Sequence, residues 1–180
     1  NPVTILKYGD EYGLYDFDYD EESGEMYALI SYDELFYPKQ ADMSDVDIHC
    51  KIYKIGKDFT VTEVPMPSEL ILSMQLTKDY IYYKVYDPVQ YGTRFDGRPL
   101  LDVSGGKIYR VKRGSTTEPE LFFDGKGEFL FQTGYYVMGD NLYLTQSDLL
   151  KMGEDMAFYN TGSIARVNVK ENTLKWINLY

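Results

Sequence analysis

Lys51-Ile52-Tyr53-Lys54-Ile55, Lys107-Ile108-Tyr109-Arg110-Val111 and Ser163-Ile164-Ala165-Arg166-Val167 share one pattern, and their starts lie 56 and again 56 residues apart. Isoleucine, then a basic residue, then a β-branched residue recur in all three. Self-similarity at a fixed period is the mark of a repeat architecture, and missing it spoils every later assignment. The likeness extends upstream. Glu25-Met26-Tyr27-Ala28-Leu29, Tyr80-Ile81-Tyr82-Tyr83-Lys84 and Asn141-Leu142-Tyr143-Leu144-Thr145 each centre a tyrosine in a strand-like run, and each follows a turn signal: Ser23-Gly24, Lys78-Asp79 or Gly139-Asp140-Asn141.

Strand-like runs flank these on both sides. Gly13 to Tyr19, Glu69 to Leu76 and Glu128 to Val137 precede the turns, while Phe59 to Val64, Pro119 to Phe123 and Thr173 to Leu179 follow the shared pattern. Each period thus holds four strands, the content of a β-propeller blade. The reading is an all-β, propeller-like array of three four-stranded antiparallel blades, at 12–66, 67–124 and 125–180, with 1–11 an orphan rim strand. Apolar and aromatic residues occupy both alternating faces of Tyr80 to Tyr86, as expected for a strand covered on both sides.

Asp79-Tyr80-Ile81-Tyr82-Tyr83 and Gly105-Gly106-Lys107-Ile108-Tyr109-Arg110-Val111, with Gly114 shortly after, resemble the repeats of bacterial propellers of the TolB and YWTD types, although the YWTD tetrapeptide itself is absent. The resemblance spans nearly the whole chain at the level of its repeats. It implies a secreted or cell-surface bacterial binding module, or an accessory propeller beside a catalytic domain.

Composition agrees with a packed β protein. Of 180 residues, 44% are apolar, and 19 Tyr with 9 Phe suit pleated, half-buried surfaces. The net charge of −11 repels phosphate backbones, which argues against nucleic acid as a partner. No apolar run reaches the ~18 residues of a membrane-spanning helix. The chain starts at Asn1, which reads as a processed or trimmed product. Three blades are fewer than the four to eight that close a ring, so the expected partners include the remaining blades of a longer chain or a second copy.

Candidate chemistry is sparse. His49 and Cys50 are the sole His and Cys, but adjacent residues in a strand point to opposite faces, so they read as structural and not as a base and nucleophile. One His and one Cys fall short of a zinc site, and no G-x-S-x-G elbow is present. No catalytic residue and no cofactor is therefore expected. Asp16 and Asp18, in the acidic run Asp16 to Glu22, share one strand face and form a weak cation candidate, with Tyr15, Phe17 and Tyr19 on the other face.

The connections between second and third strands, roughly 32–48, 87–106 and 147–162, read as long loops, which are uncommon unless functional. Equivalent connections project from one side of the array. They carry Tyr32, Phe36, Phe158 and, as candidate ligand-binding residues, Tyr37, Tyr91, Arg94, Phe95, Arg98 and Tyr159. Tyr and Arg are favoured interface anchors, and Tyr can stack on sugars; the same aromatics could instead fold back into small satellite cores. The functional expectation is a non-catalytic module presenting these connections to a protein or carbohydrate. The competing classes are an accessory propeller of a larger hydrolase and a self-assembling structural module.

Overall fold

The computed structural model describes residues 12–32, 50–66, 70–93, 99–124, 134–152 and 155–178. All regular structure among them is β. Strands β1 (Tyr12–Asp20), β2 (Glu25–Tyr32), β3 (Cys50–Ile55) and β4 (Val61–Val64) form the first sheet. The second comprises β5 (Leu70–Leu76), β6 (Tyr80–Thr93), β7 (Pro99–Lys112) and β8 (Glu120–Asp124). The third comprises β9 (Tyr135–Met138), β10 (Asn141–Met152), β11 (Asp155–Asn168) and β12 (Thr173–Asn178). Each sheet is an antiparallel meander in chain order. The expected rim strand at 3–8 lies outside the described residues.

The turns follow from the residues that close them. Gly24, at φ 68°, ends the β1–β2 turn with its N–H on the Asp20 carbonyl at 2.7 Å. Gly139, at φ 60°, opens the two-residue link between β9 and β10, where a left-handed first residue suits the twist of the flanking strands.

Register makes the repeat concrete. Tyr27 pairs with Lys54, Tyr82 with Arg110 and Tyr143 with Arg166, so the three tyrosines and the three bases of the sequence pattern are cross-strand neighbours in every sheet. On the first strands the same row continues to Asp18, Gln75 and Tyr136. The next row, facing the other way, is Tyr19–Met26–Ile55, Leu76–Ile81–Val111 and Val137–Leu142–Val167.

Two cores separate the sheets. Tyr27, Leu29, Cys50 and Ile52 of the first sheet meet Ile71, Met74, Ile81, Tyr83, Val85 and Val111 of the second. On its opposite side, the second sheet sends Tyr82 and Ile108 against Val137, Leu142, Leu144, Ala165 and Val167 of the third. The middle sheet is covered on both faces, which is why Ile81 to Val85 are all buried. Burial of a large aliphatic or aromatic side chain contributes about 1.5–3 kcal/mol, so these two interfaces dominate the stability.

Two expectations need correction. The connections at 87–106 and 147–162 are largely strand: β6 and β7 pair from Asp87–Ser104 out to Thr93–Pro99, and β10 and β11 from Ser147–Asn160 out to Met152–Asp155. Of the expected run from Glu128 to Val137, the structure describes strand at Tyr135–Met138, and residues 128–133 lie outside the described residues. A register shift between Leu14 and Asp16 also turns Tyr15 against the first core instead of leaving it beside Phe17 and Tyr19.

Candidate binding surface

Among the described residues, two ribbons extend beyond the strands that flank them. Among the described residues β5 pairs with β6 as far as Leu70–Tyr86 and β8 with β7 as far as Lys107–Asp124, while β6 and β7 pair with each other for about seven residues per strand beyond that. At ~3.3 Å per residue that is roughly 20 Å of two-stranded ribbon. The β10–β11 ribbon likewise passes the end of β9 at Tyr135 and of β12 at Asn178. Each extension begins at a register shift, between Val85 and Asp87 or between Thr145 and Ser147. Bulges of this kind re-aim a strand and add twist. Pro88 and Pro99 lie within the first ribbon, whose outer edges pair with no described strand, and such an edge tolerates a residue lacking N–H and is blunted by it.

Both ribbons leave from the same end of the stack because the sheets are aligned by side chains that reach across from one first strand to the next. Asp16 Oδ1 accepts the Phe17 N–H at 2.9 Å and Oδ2 accepts the Met74 N–H at 2.9 Å. Asp18 Oδ1 accepts the Tyr19 N–H at 2.8 Å and Oδ2 accepts the Leu76 N–H at 3.1 Å. Residues 16 and 18 thus meet 74 and 76 in the same direction, and β1 and β5 run parallel. Gln75 repeats the device one sheet on, holding both backbone groups of Val137, and the Tyr135 hydroxyl donates to the carbonyls of Ser73 and Tyr82 at 3.4 and 3.0 Å.

These contacts occupy backbone that would otherwise be an unpaired edge. β5 is an outer strand of its sheet, and a buried N–H or C=O left without a partner costs about 1–3 kcal/mol. Cys50 completes the set: its Sγ accepts the Ile71 N–H at 3.1 Å and donates to the Ile71 carbonyl at 3.4 Å. The sole cysteine therefore joins two sheets. The carboxylates singled out as a weak cation site, Asp16 and Asp18, each join two strands by both oxygens, and no group of three metal-ligating side chains is assembled among the described residues.

At the opposite end of the first interface, Arg113 of the β7–β8 turn reaches the β1–β2 turn. Its Nη2 donates to Asp20 Oδ2 at 2.6 Å, Glu25 Oε2 at 3.2 Å and Ser23 Oγ at 3.3 Å. Its Nη1 donates to the carbonyls of Thr77 and Lys78, its Nε lies 3.4 Å from the Tyr27 hydroxyl, and its guanidinium sits over the Tyr27 ring. The Ser23 hydroxyl and Arg113 hold the Asp20 carboxyl well below the usual carboxylate range. Lys54, 2.8 Å from Glu25 Oε1, lowers the Glu25 carboxyl in turn. An open groove of about 710 Å³ runs past these groups. Asp20, Glu25, Lys54 and Arg113 in its lining are paired with one another, which makes this part of the groove a tie between sheets.

The candidate ligand-binding residues divide by position. Tyr91 is the bulged residue of β6 between the Gln90–Leu101 and Gly92–Leu100 pairs, and Tyr159 pairs with Asp148 on the second ribbon. Arg94, Phe95 and Arg98 belong to the link between β6 and β7, and with Tyr37 and His49 they lie outside the described residues. Gln75 and Arg113 escaped the sequence reading. Gln75 was accessible through its register equivalence to Asp18, whereas the equivalents of Arg113 are Lys57 and Val169, which give no hint.

No family model, curated protein or solved structure matches the chain. Among the described residues no helix is long and apolar enough to cross a membrane.

Proposed function

We propose that the chain is a non-catalytic binding module, an arc of propeller-like blades that presents the β6–β7 and β10–β11 ribbons to a protein or carbohydrate ligand. The observation that carries this reading is that, among the described residues, both ribbons extend past their flanking strands at one end of the stack, so that Tyr91 and Tyr159 lie on the extended parts. A two-stranded extension that no other described strand flanks offers its edges and faces for contact. Arg94, Phe95 and Arg98 follow directly on β6 in the chain and supply the aromatic and guanidinium groups that recognise sugars and protein surfaces.

The likeness of the repeats to TolB and YWTD-type propellers supports a secreted or cell-surface setting in a bacterium. The acidic net charge favours uncharged or basic ligands.

The test replaces Tyr91, Arg94 and Phe95 together by alanine and measures binding to immobilised glycans and candidate surface proteins alongside the thermal melt. Loss of binding with an unchanged melt is expected. Binding that survives the triple substitution, or a collapse of the melt, would remove the ribbon from the contact surface.

A further inference from the structure

The third sheet breaks a rule that the first two keep. In the first sheet the base of the repeated pattern, Lys54, is paired with Glu25 Oε1 at 2.8 Å. In the second, Arg110 is paired with Glu120, the residue directly opposite it on the next strand, and its guanidinium lies over the rings of Tyr80 and Phe122. Each base thus has its counter-charge within its own sheet. In the third sheet the position that Glu25 holds is Asn141 and the position that Glu120 holds is Lys175, so Arg166 meets a second cation across the β11–β12 ladder. Among the described residues neither Arg166 nor Lys175 makes an ion pair. Like charges directly opposite each other in a sheet are destabilising, and places where a local rule is broken in this way are expected at functional sites.

The two cations share a row with two tyrosines. Tyr136, Tyr143, Arg166 and Lys175 are consecutive cross-strand partners over all four strands of the sheet. This row alternates with Val137, Leu142, Ala165 and Val167, which pack against the second sheet, so it faces outward. It is open: Tyr136 is 58% exposed, Lys175 is exposed, and Tyr143 and Arg166 are half-buried. Strands about 4.8 Å apart make the row a strip roughly 14 Å long. The chain's charge of −11 is carried elsewhere, since the paired rows of this face, from Met138 and Thr173 to Ile164 and Ile177, contain no Asp or Glu. Screening over about 8 Å at physiological salt lets this local pair of cations, and not the net charge, govern contact with an anion.

We infer that this outward face of the third sheet binds an acidic carbohydrate, a glycan whose rings bear carboxylates. The rings of Tyr136 and Tyr143 offer stacking surfaces for sugars, and Arg166 beside Lys175 offers a planar fork and a point charge for the carboxylates. A further sheet suits this face poorly, because an apolar row like those that cover Tyr27 and Tyr82 would take two like charges out of water with no acid between them. A nucleic acid suits it poorly too: two bases neutralise few of its closely spaced phosphates, and the rest meet the acidic field of the chain. The site lies in the four-stranded part of the third sheet and does not rest on ligand contact at the ribbons.

The test titrates the 180-residue chain by calorimetry with oligogalacturonate, hyaluronan oligosaccharides, a neutral glucan of similar length and single-stranded DNA, at low and at high salt. Binding of an acidic oligosaccharide that weakens with salt is expected, with none of the glucan. Lys175→Glu sets an acid opposite Arg166, as Glu120 is set opposite Arg110, and is expected to weaken binding by about tenfold or more while the thermal melt holds or rises. Arg166→Gln and Tyr136→Ala are each expected to weaken binding by a similar factor. The ribbon variant with Tyr91, Arg94 and Phe95 replaced by alanine, if its melt is unchanged, should bind the acidic oligosaccharide like wild type, which keeps the two readings separable. A wild-type chain that binds neither acidic oligosaccharide overturns the inference. So does binding that Lys175→Glu leaves intact, equal binding of the glucan, tighter binding of the DNA, or loss of binding in a folded ribbon variant.

Discussion

Gln75 grips Val137 by both of its backbone groups: the amide nitrogen of the side chain donates to the Val137 carbonyl at 2.8 Å, and the side-chain oxygen accepts the Val137 N–H at 2.7 Å. Only an amide offers a donor and an acceptor side by side, so the chemistry of this position is fixed by the edge of the next sheet.

Gln75→Glu turns the donor into a second acceptor facing a carbonyl. The substitution is expected to lower stability by about 1–3 kcal/mol, read from the urea midpoint at constant slope, whereas Gln75→Leu at nearly equal size loses the bond without the repulsion and falls less.

Asp16 and Asp18 show the opposite demand, because both oxygens of each face N–H groups. Asp18→Asn places an NH₂ against one of them and is expected to cost about 1–3 kcal/mol. The same measurement with added calcium should leave wild type unmoved, since these carboxylates already join the strands; a calcium-dependent rise in the melt would support the cation reading.

Acid should weaken the tie at Arg113. The folded-state carboxyls of Asp20 and Glu25 are depressed, so the unfolded chain binds more protons as pH falls. Their contribution is fully present above the unfolded value of about 4 and is lost as pH drops from there through the folded values. Ser23→Ala removes the largest cause of the Asp20 depression and is expected to flatten the acid limb of a stability–pH curve.

Lys84 is buried, 1% exposed on the face turned to the third sheet, and burial pushes its ammonium down to about 8. Here the unfolded chain binds more protons between about pH 8 and the ordinary lysine value near 10.4, so its contribution to stability rises across that window. Lys84→Met should abolish this rise, as checked by urea titrations at pH 7.5 and 9.5; an unchanged slope would show that burial is not what sets the group.

Much of the array was readable because a repeated strand must repeat its pairing pattern. Tyr27, Tyr82 and Tyr143, and the bases opposite them, announced three equivalent sheets, and the apolar and aromatic residues on both faces of Tyr80 to Tyr86 announced a covered middle sheet. The ribbons were not readable. Pro88, Gly92, Gly97, Gly105 and Gly106 look like loop punctuation, and what makes 87–93 and 99–106 strand is the register between them. The bonds of the carboxylates at 16 and 18 were not readable for a related reason: each has one partner in the next N–H along the strand and the other in a backbone N–H 58 residues away, which composition does not encode. The 57-residue step from Asp18 to Gln75, visible only once strands are paired, is the signal that would have revealed the device.

The account rests on the first strands being tied edge to edge by side chains, which sets the sheets in one direction and sends both ribbons out at one end. Native-state hydrogen exchange followed by NMR reads this directly at the outward amides of Met74, Leu76 and Val137. They should be protected to the level of ladder amides in the middle sheet, and Asp18→Ala should release Leu76 while sparing Val137. Exchange of these three amides at the rate of a free strand edge would contradict it.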